Sequence, residues 1–185
     1  MSLIQYLTTI QFEFGAIKLL SSECARIGIN RPLIVTDAGV RAAGVLQKAL
    51  DALGDLDVAV FDQTPSNPTE AAVRAAVEMY RTQRCDGLIA VGGGSAIDCA
   101  KGVAIAATHE GAIVIVDDHR KLGFHSWFLM PKAAICDPEL TLGLPPRLTA
   151  ATGMDAIAHC METFMSAAFN PPADGIGLDG LERAW

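Results

Sequence analysis

Gly87-Leu-Ile-Ala-Val-Gly-Gly-Gly-Ser-Ala-Ile-Asp98 connects a continuous apolar run to a helical pattern through three glycines. An apolar run of this length is typical of a strand in a parallel sheet, because both faces of such a sheet are covered. The helical pattern extends from Ser95 to about Ala107. The segment therefore predicts a strand, a tight turn and a helix, which together form the repeating unit of an α/β domain.

The glycine turn, Gly92 to Gly94, is a candidate anion site. Glycines let the backbone turn tightly and let a phosphate approach, while the N–H groups at the start of the helix face the anion. A structural alternative makes Ser95 the N-cap, with Asp98 completing a capping box. The turn does not match the G-x-G-x-x-G signature, because Ile97 takes the place of the third glycine, and no Lys-Ser/Thr pair follows as in a Walker loop.

The same alternation of strands and helices extends over most of the chain. Predicted strands cover residues 31–36, 57–61, 113–116 and 133–136, and predicted helices cover residues 40–53 and the segment that Thr69 caps. After Leu144-Pro-Pro146 the pattern is helical, from 148 to 168 and again after Pro171-Pro172. We predict an α/β domain over residues 1–143, with a parallel sheet flanked by helices, and the start of an all-helical domain over 144–185.

Asp37 follows the first of these strands in Thr36-Asp37-Ala38-Gly39. A carboxylate at the carboxyl edge of a parallel sheet can accept hydrogen bonds from ribose hydroxyls and repel a 2′-phosphate. The alternative is a purely local role as an Asx turn or helix cap. Because this acid precedes the glycine turn, the usual Rossmann topology does not follow from it.

A second polar group lies in the helical region. At about 100° per residue, Asp155, His159 and Glu162 fall within a sector of roughly 60°. The i, i+4 spacing lets a carboxylate and an imidazole reach one cation. The same spacing also fits a solvated polar face.

Composition limits the classes of partner. The net charge is −7 and no basic run occurs, which argues against binding to nucleic acid or to an anionic membrane. No uncharged apolar run reaches the ~20 residues of a membrane span, and no signal sequence is visible. The five cysteines are scattered, with no C-x-x-C pair, which indicates reduced thiols and a cytoplasmic protein. We expect a small-molecule partner or association into a homo-oligomer.

Several blocks occur together in one family. The chain resembles the iron-containing (group III) alcohol dehydrogenases in Gly92-Gly-Gly-Ser-Ala-Ile-Asp-Cys-Ala-Lys101 and Thr152-Gly-Met-Asp-Ala-Ile-Ala-His159. Further matching blocks are Phe14-Gly-Ala16, Thr36-Asp37, Asn67-Pro-Thr69, Asp137-Pro-Glu-Leu-Thr141 and Leu144-Pro-Pro146. The resemblance implies a dinucleotide-binding α/β domain, a helical metal-binding domain and an active site in the cleft between them.

The resemblance also assigns roles to residues of this chain. It implies that the dinucleotide is bound by the glycine turn with further contacts from Asp37, Asn67, Gly93, Gly94, Ser95 and Lys121. Asp98 and Lys101 would hold the glycine loop and the cofactor side of the cleft, and Asp155 and His159 would be two of four metal ligands. The implied reaction is hydride transfer between an alcohol or aldehyde and NAD. A divalent metal, ferrous iron or zinc, would act as a Lewis acid.

The chain departs from the family pattern in two places. The family carries a Thr-Thr-x-Gly-Thr-Gly-Ser-Glu-like segment after the glycine helix, whereas here Ala107-Thr-His-Glu-Gly111 leads directly into Ala112-Ile-Val-Ile-Val116. We expect an internal deletion with its seam near Gly111, which leaves the α/β domain incomplete around residues 108–112. The two other metal-binding histidines of the family would lie beyond Trp185, so we expect the chain alone to be inactive.

Two other functions stay open. One is a metal-independent enzyme that resembles the maleylacetate reductases, which share the glycine turn; the pair Asp155 and His159 argues against it. The other is a non-catalytic nucleotide-binding remnant, which the missing segments favour.

Overall fold

The computed structural model describes residues 8–108, 129–167 and 169–185, together with the backbone of residues 116–117 and 120–121. It divides into two compact units, Leu7–Leu140 and Thr141–Trp185. The domain boundary that we predict between residues 143 and 144 stays a prediction. The predicted seam near Gly111 and most of the predicted strand 113–116 lie outside the described residues.

Parallel strands form the centre of the first unit. The strands are β1 (Thr9–Phe12), β2 (Pro32–Val35), β3 (Ala59–Phe61), β4 (Gly87–Ala90), β5 (Val116–Asp117), β6 (Arg120–Lys121) and β7 (Ala133–Cys136). The first sheet has the order β3-β2-β4 and is parallel throughout, and β1 pairs in parallel with β7. The short strands β5 and β6 form an antiparallel pair.

Helices cover both faces of the three-stranded sheet. The helices of this unit are α1 (Leu20–Ile27), α2 (Ala38–Ala42), α3 (Val45–Leu53), α4 (Glu70–Thr82) and α5 (Gly94–Thr108). Leu33 and Val35 of β2 pack in one core with side chains of α4 and α5, whereas Ile34 packs with α1 and α3. Because successive side chains of a strand point to opposite faces, this division places β2 between two helical layers. The predicted α/β class, a parallel sheet flanked by helices, is confirmed.

Two local predictions were wrong. The single helix predicted over residues 40–53 is two helices, because Gly44 adopts a left-handed conformation (φ 75°) between α2 and α3. Ser95 is not an N-cap, because α5 already begins at Gly94. The cap at Thr69 is confirmed: its side chain accepts a hydrogen bond from Ala72 N, at the start of α4.

A buried carboxylate fastens β7 to the N-terminal part of the same unit. Asp137, directly after β7, accepts hydrogen bonds from the backbone N–H groups of Gly15, Ile17 and Glu139, at 3.0–3.1 Å. Burial favours the neutral acid, but the three N–H donors outweigh it and hold the pKa of Asp137 below its usual value. The motif Asp137-Pro-Glu-Leu-Thr141 thus has a structural role that sequence reasoning did not assign.

This arrangement predicts a pH-dependent contribution to stability. Because the folded-state pKa of Asp137 lies below that of the unfolded chain, its contribution is complete above about pH 4. It is lost as the pH falls through the lowered folded-state pKa. We expect the midpoint of thermal unfolding to fall more between pH 7 and pH 3 in the wild type than in Asp137→Asn, which is itself less stable at pH 7.

The matched control is Glu139→Gln, because the side chain of Glu139 is exposed. This variant should keep the wild-type pH dependence. A wild-type profile in Asp137→Asn as well would show that Asp137 does not carry the effect.

The second unit is a pair of helices, α6 (Pro146–Met165) and α7 (Pro171–Ala184). They pack closely where α7 carries glycines: a Cβ on Gly177 would lie 3.3 Å from the carbonyl oxygen of Cys160, and one on Gly180 would lie 2.8 Å from the Cys160 sulfur. Small residues at these two positions therefore let α7 approach the Cys160 side of α6. Within the described ranges, no helix is both long enough and apolar enough to cross a bilayer.

Candidate functional site

Thr36 joins the carboxyl ends of all three strands of the first sheet. Its hydroxyl donates to the carbonyl of Val91 at 2.7 Å, after β4, and its N–H donates to the carbonyl of Phe61 at 2.8 Å, in β3. Thr64 N in turn donates to the Thr36 carbonyl at 3.3 Å. The residues that follow Thr36 and Val91 are therefore held side by side at the carboxyl edge, where ligands of open α/β sheets bind.

Asp37 is placed beside the glycine turn by this arrangement. Its Oδ1 accepts a hydrogen bond from Val40 N at 2.9 Å, so the local role as a helix cap is confirmed. Its Oδ2 lies 3.6 Å from the position that a Cβ on Gly92 would take. One carboxylate oxygen of Asp37 therefore caps the helix, and the other lies close to the glycine turn, the candidate anion site.

The three glycines of the turn differ in their surroundings. Gly92 has a φ of +141°, and a Cβ there would lie 3.1 Å from Val40 Cγ2 and 3.2 Å from Ala96 Cβ. Gly93 and Gly94 have nothing within 4 Å of the Cβ position. Gly92 is thus required by the packing of the turn. The other two glycines leave open space at the N-terminal end of α5, a helix of 15 residues.

The loop that contains Asn67 also reaches this turn. The hydroxyl of Ser95 donates to the carbonyl of Ser66 at 2.5 Å, instead of capping α5. Asn67, the next residue, is exposed. The sequence alone did not connect Ser95 with Asn67, and the structure links the Ser95 side chain to the backbone of the residue that precedes Asn67.

For three further residues that we predicted to bind the cofactor, the structure shows no side-chain hydrogen bond with the glycine turn among the described residues. Asp98 and Lys101 are exposed on α5, and neither side chain has a hydrogen bond or ion pair with another described residue. Lys121 lies on β6, and its side chain is outside the described part. Their roles toward the cofactor stay predictions.

The predicted metal ligands face each other on α6. His159 Nε2 lies 3.5 Å from Asp155 Oδ2, and the two side chains are 70% and 72% exposed. Two atoms bound tetrahedrally to one cation, each about 2.1 Å from it, lie about 3.4 Å apart. The pair therefore fits two positions of such a coordination shell. Among the described residues, no group of three or more His, Cys, Asp or Glu side chains could hold a metal.

The chain is similar to known proteins in sequence. The family model of iron-containing alcohol dehydrogenases matches residues 8–116. The 4-hydroxybutyrate dehydrogenase of Cupriavidus necator is 60% identical, over all of this chain and 58% of that protein. The chain thus spans little more than half the length of this relative. The alignment with this relative has 223 positions, whereas the chain has 185 residues. At the remaining 38 positions (223 − 185) the alignment contains no residue of this chain.

Solved structures give the same fold. A 1,3-propanediol oxidoreductase superposes with a TM-score of 0.84 at 32% identity, over 95% of this chain and 56% of that one. The maleylacetate reductase of Agrobacterium tumefaciens superposes with a TM-score of 0.85 over 98% of this chain and 55% of that one; at 24% identity, this likeness concerns the fold alone. The match of the family model to more than half of the residues establishes that the chain belongs to the iron-containing alcohol dehydrogenase family.

Proposed function

We propose that this chain supplies the NAD-binding part and two metal ligands of an alcohol dehydrogenase, which moves a hydride between an alcohol carbon and the nicotinamide. The main support for the proposal is the position of Asp37 beside the glycine turn at the carboxyl edge of the sheet, with its Oδ2 atom 3.6 Å from the Cβ position of Gly92. These two features lie far apart in the sequence, and the hydrogen bonds of Thr36 bring them together.

The geometry suggests how each part of the dinucleotide is bound. The pyrophosphate would lie on Gly93 and Gly94, where nothing lies within 4 Å of the Cβ positions and where the first N–H groups of a helix have no partner within the helix. The Oδ2 atom of Asp37 would accept hydrogen bonds from ribose hydroxyls. Asn67 would contact the cofactor from the loop that Ser95 holds in place.

The substrate is a small alcohol or its aldehyde, and the metal is ferrous iron or zinc at Asp155 and His159. When bound, the metal would supply a Lewis acid that stabilises negative charge on the alcohol oxygen. The identity of 60% with a 4-hydroxybutyrate dehydrogenase favours an ω-hydroxy acid of similar length as the substrate class.

The metal-independent alternative has one observation in its favour, the shared fold of the maleylacetate reductase. The separation of 3.5 Å between His159 Nε2 and Asp155 Oδ2 favours the metal-dependent enzyme, since two ligands of one cation have this spacing. The non-catalytic alternative is favoured by the 38 alignment positions without a residue (223 in the alignment, 185 in the chain).

Calorimetric titration with NAD and NADP tests the cofactor part of the proposal. We expect NAD to bind more tightly than NADP, because the Asp37 carboxylate repels the additional 2′-phosphate. Asp37→Asn should raise the affinity for NADP relative to NAD on the order of tenfold, since it removes a charge worth at least ~1 kcal/mol at contact distance. Asparagine caps helices as well as aspartate does, so the fold should be unchanged.

Glu70→Gln is the control for loss of one negative charge, since Glu70 lies in the first turn of α4. Its cofactor preference should equal that of the wild type. Absence of NAD binding, or a wild-type preference for NADP that Asp37→Asn leaves unchanged, would refute the assignment.

A further inference from the structure

A third acidic side chain faces His159 on α6. Glu162 Oε2 lies 3.6 Å from His159 Nδ1, while Asp155 Oδ2 lies 3.5 Å from the other ring nitrogen, Nε2. The three residues follow one another at i, i+4 and i+7, so each ring nitrogen has its own carboxylate. This arrangement distinguishes Glu162 from Asp155, because the two carboxylates approach different atoms of the ring.

We propose that Glu162 is a positioning residue for the metal ligand His159; this inference rests on the metal site of the proposed function. A neutral imidazole carries one proton, and a nitrogen that carries it has no lone pair for a cation. The Glu162 carboxylate would accept a hydrogen bond from Nδ1–H, which leaves the lone pair of Nε2 available on the side of Asp155. The carboxylate also fixes the rotation of the ring, as carboxylates beside metal-bound histidines do.

The observed separation allows this contact. A hydrogen bond from a ring N–H to a carboxylate oxygen is about 2.7–2.9 Å long, so Oε2 would have to approach Nδ1 by less than about 1 Å. Both side chains are free to adjust, since the exposed fractions are 70% for His159 and 63% for Glu162.

The packing of α6 keeps this polar stripe accessible. Helix α7 contacts α6 on the Cys160 side, where Gly177 and Gly180 lie against it. Cys160 is about 100° from His159 around the helix axis. Helix α7 therefore holds α6 without covering the stripe formed by Asp155, His159 and Glu162.

Two measurements on the 185-residue chain test the role of Glu162. The first is the ratio of the two imidazole tautomers of His159, from nitrogen-15 NMR of the metal-free protein at about pH 9, where free imidazoles are neutral. The second is the affinity for zinc, from calorimetry. We expect Glu162→Ala to lower the fraction of the Nδ1–H tautomer and to weaken zinc binding about tenfold.

Two control variants separate positioning from charge. Glu162→Gln keeps an oxygen that can accept a hydrogen bond from Nδ1–H. Its tautomer ratio and its zinc affinity should therefore lie between those of the wild type and those of Glu162→Ala. Glu182→Ala removes an equal charge from an exposed position on α7 and should change neither measurement.

An unchanged tautomer ratio in Glu162→Ala would overturn the role of Glu162, whatever its zinc affinity. Equal loss of affinity in Glu182→Ala would do the same. A different result would show that the proposed metal site is wrong: the zinc affinity of Asp155→Ala would then equal that of the wild type.

Discussion

Replacement of Gly94 by valine is expected to weaken NAD binding by at least about tenfold without unfolding the chain. The Cβ position of Gly94 has no atom within 4 Å and its φ is not left-handed, so valine fits the protein itself. The same side chain would project into the space where the pyrophosphate must approach the N–H groups of α5. Because a tenfold loss corresponds to about 1.4 kcal/mol, a single displaced phosphate contact is sufficient.

Gly92→Ala is the matched variant, and we expect it to lower the stability of the fold, whereas Gly94→Val should leave the chain folded. The left-handed φ of +141° at Gly92 and the contacts of 3.1 Å and 3.2 Å to Val40 and Ala96 make any side chain there costly. Strain of this kind costs about 1–3 kcal/mol, so this variant should unfold at a lower temperature. Calorimetry with NAD and thermal unfolding of both variants provide the comparison. Wild-type NAD affinity in Gly94→Val would place the pyrophosphate elsewhere.

The sequence was sufficient to predict the parts of the fold that depend on local patterns. Continuous apolar runs predicted β2 and β4, because a strand between two helical layers has no polar face. Gly44 shows the limit of this reasoning: the apolar period continues across it, while its left-handed backbone separates α2 from α3. Periodicity reports which side chains face the core, and a single glycine can interrupt the helix without changing that pattern.

The candidate site depends on contacts that no local pattern contains. The buried hydroxyl of Thr36 bonds to a carbonyl 55 residues later in the sequence, and this bond brings Asp37 to the glycine turn. Asp137 likewise collects N–H groups from residues 120 or more positions away. Each residue looked like a common strand-end threonine or aspartate. The only available signal was their position at the carboxyl ends of predicted parallel strands, where side chains from distant segments converge.

The predicted metal ligands could be found from a local pattern only in part. The i, i+4 spacing of Asp155 and His159 follows from helix geometry alone, and their separation of 3.5 Å agrees with it. Spacing gives no information on further ligands, since those would come from other elements. The observed geometry is therefore compatible with both interpretations of the sequence: the side chains are exposed, as on a solvated face, and the two atoms are 3.5 Å apart, as two ligands of one cation can be.

The 185-residue chain, expressed alone, is expected to show no metal-dependent oxidation of alcohols above a control without enzyme. The two proposed ligands are 70% and 72% exposed, so water would fill most of the coordination shell and screen the charge that the metal must stabilise. We expect the 38 alignment positions without a residue (223 against 185) to fall near Gly111 and to include the segment that contacts the cofactor after the glycine helix. A cofactor that lacks this support is poorly oriented for hydride transfer.

These two defects act on the same step, so we expect a rate at least about a thousandfold below that of a complete enzyme. The measurement is NADH formation from 4-hydroxybutyrate and from 1,3-propanediol, after loading with ferrous iron or zinc. The 4-hydroxybutyrate dehydrogenase of Cupriavidus necator, 60% identical, is the positive control. A second form of that enzyme, from which the aligned residues without a counterpart in this chain are removed, should lose its activity. Turnover by the 185-residue chain that disappears with a chelator would show that two ligands are enough, whereas turnover that persists would favour the metal-independent alternative.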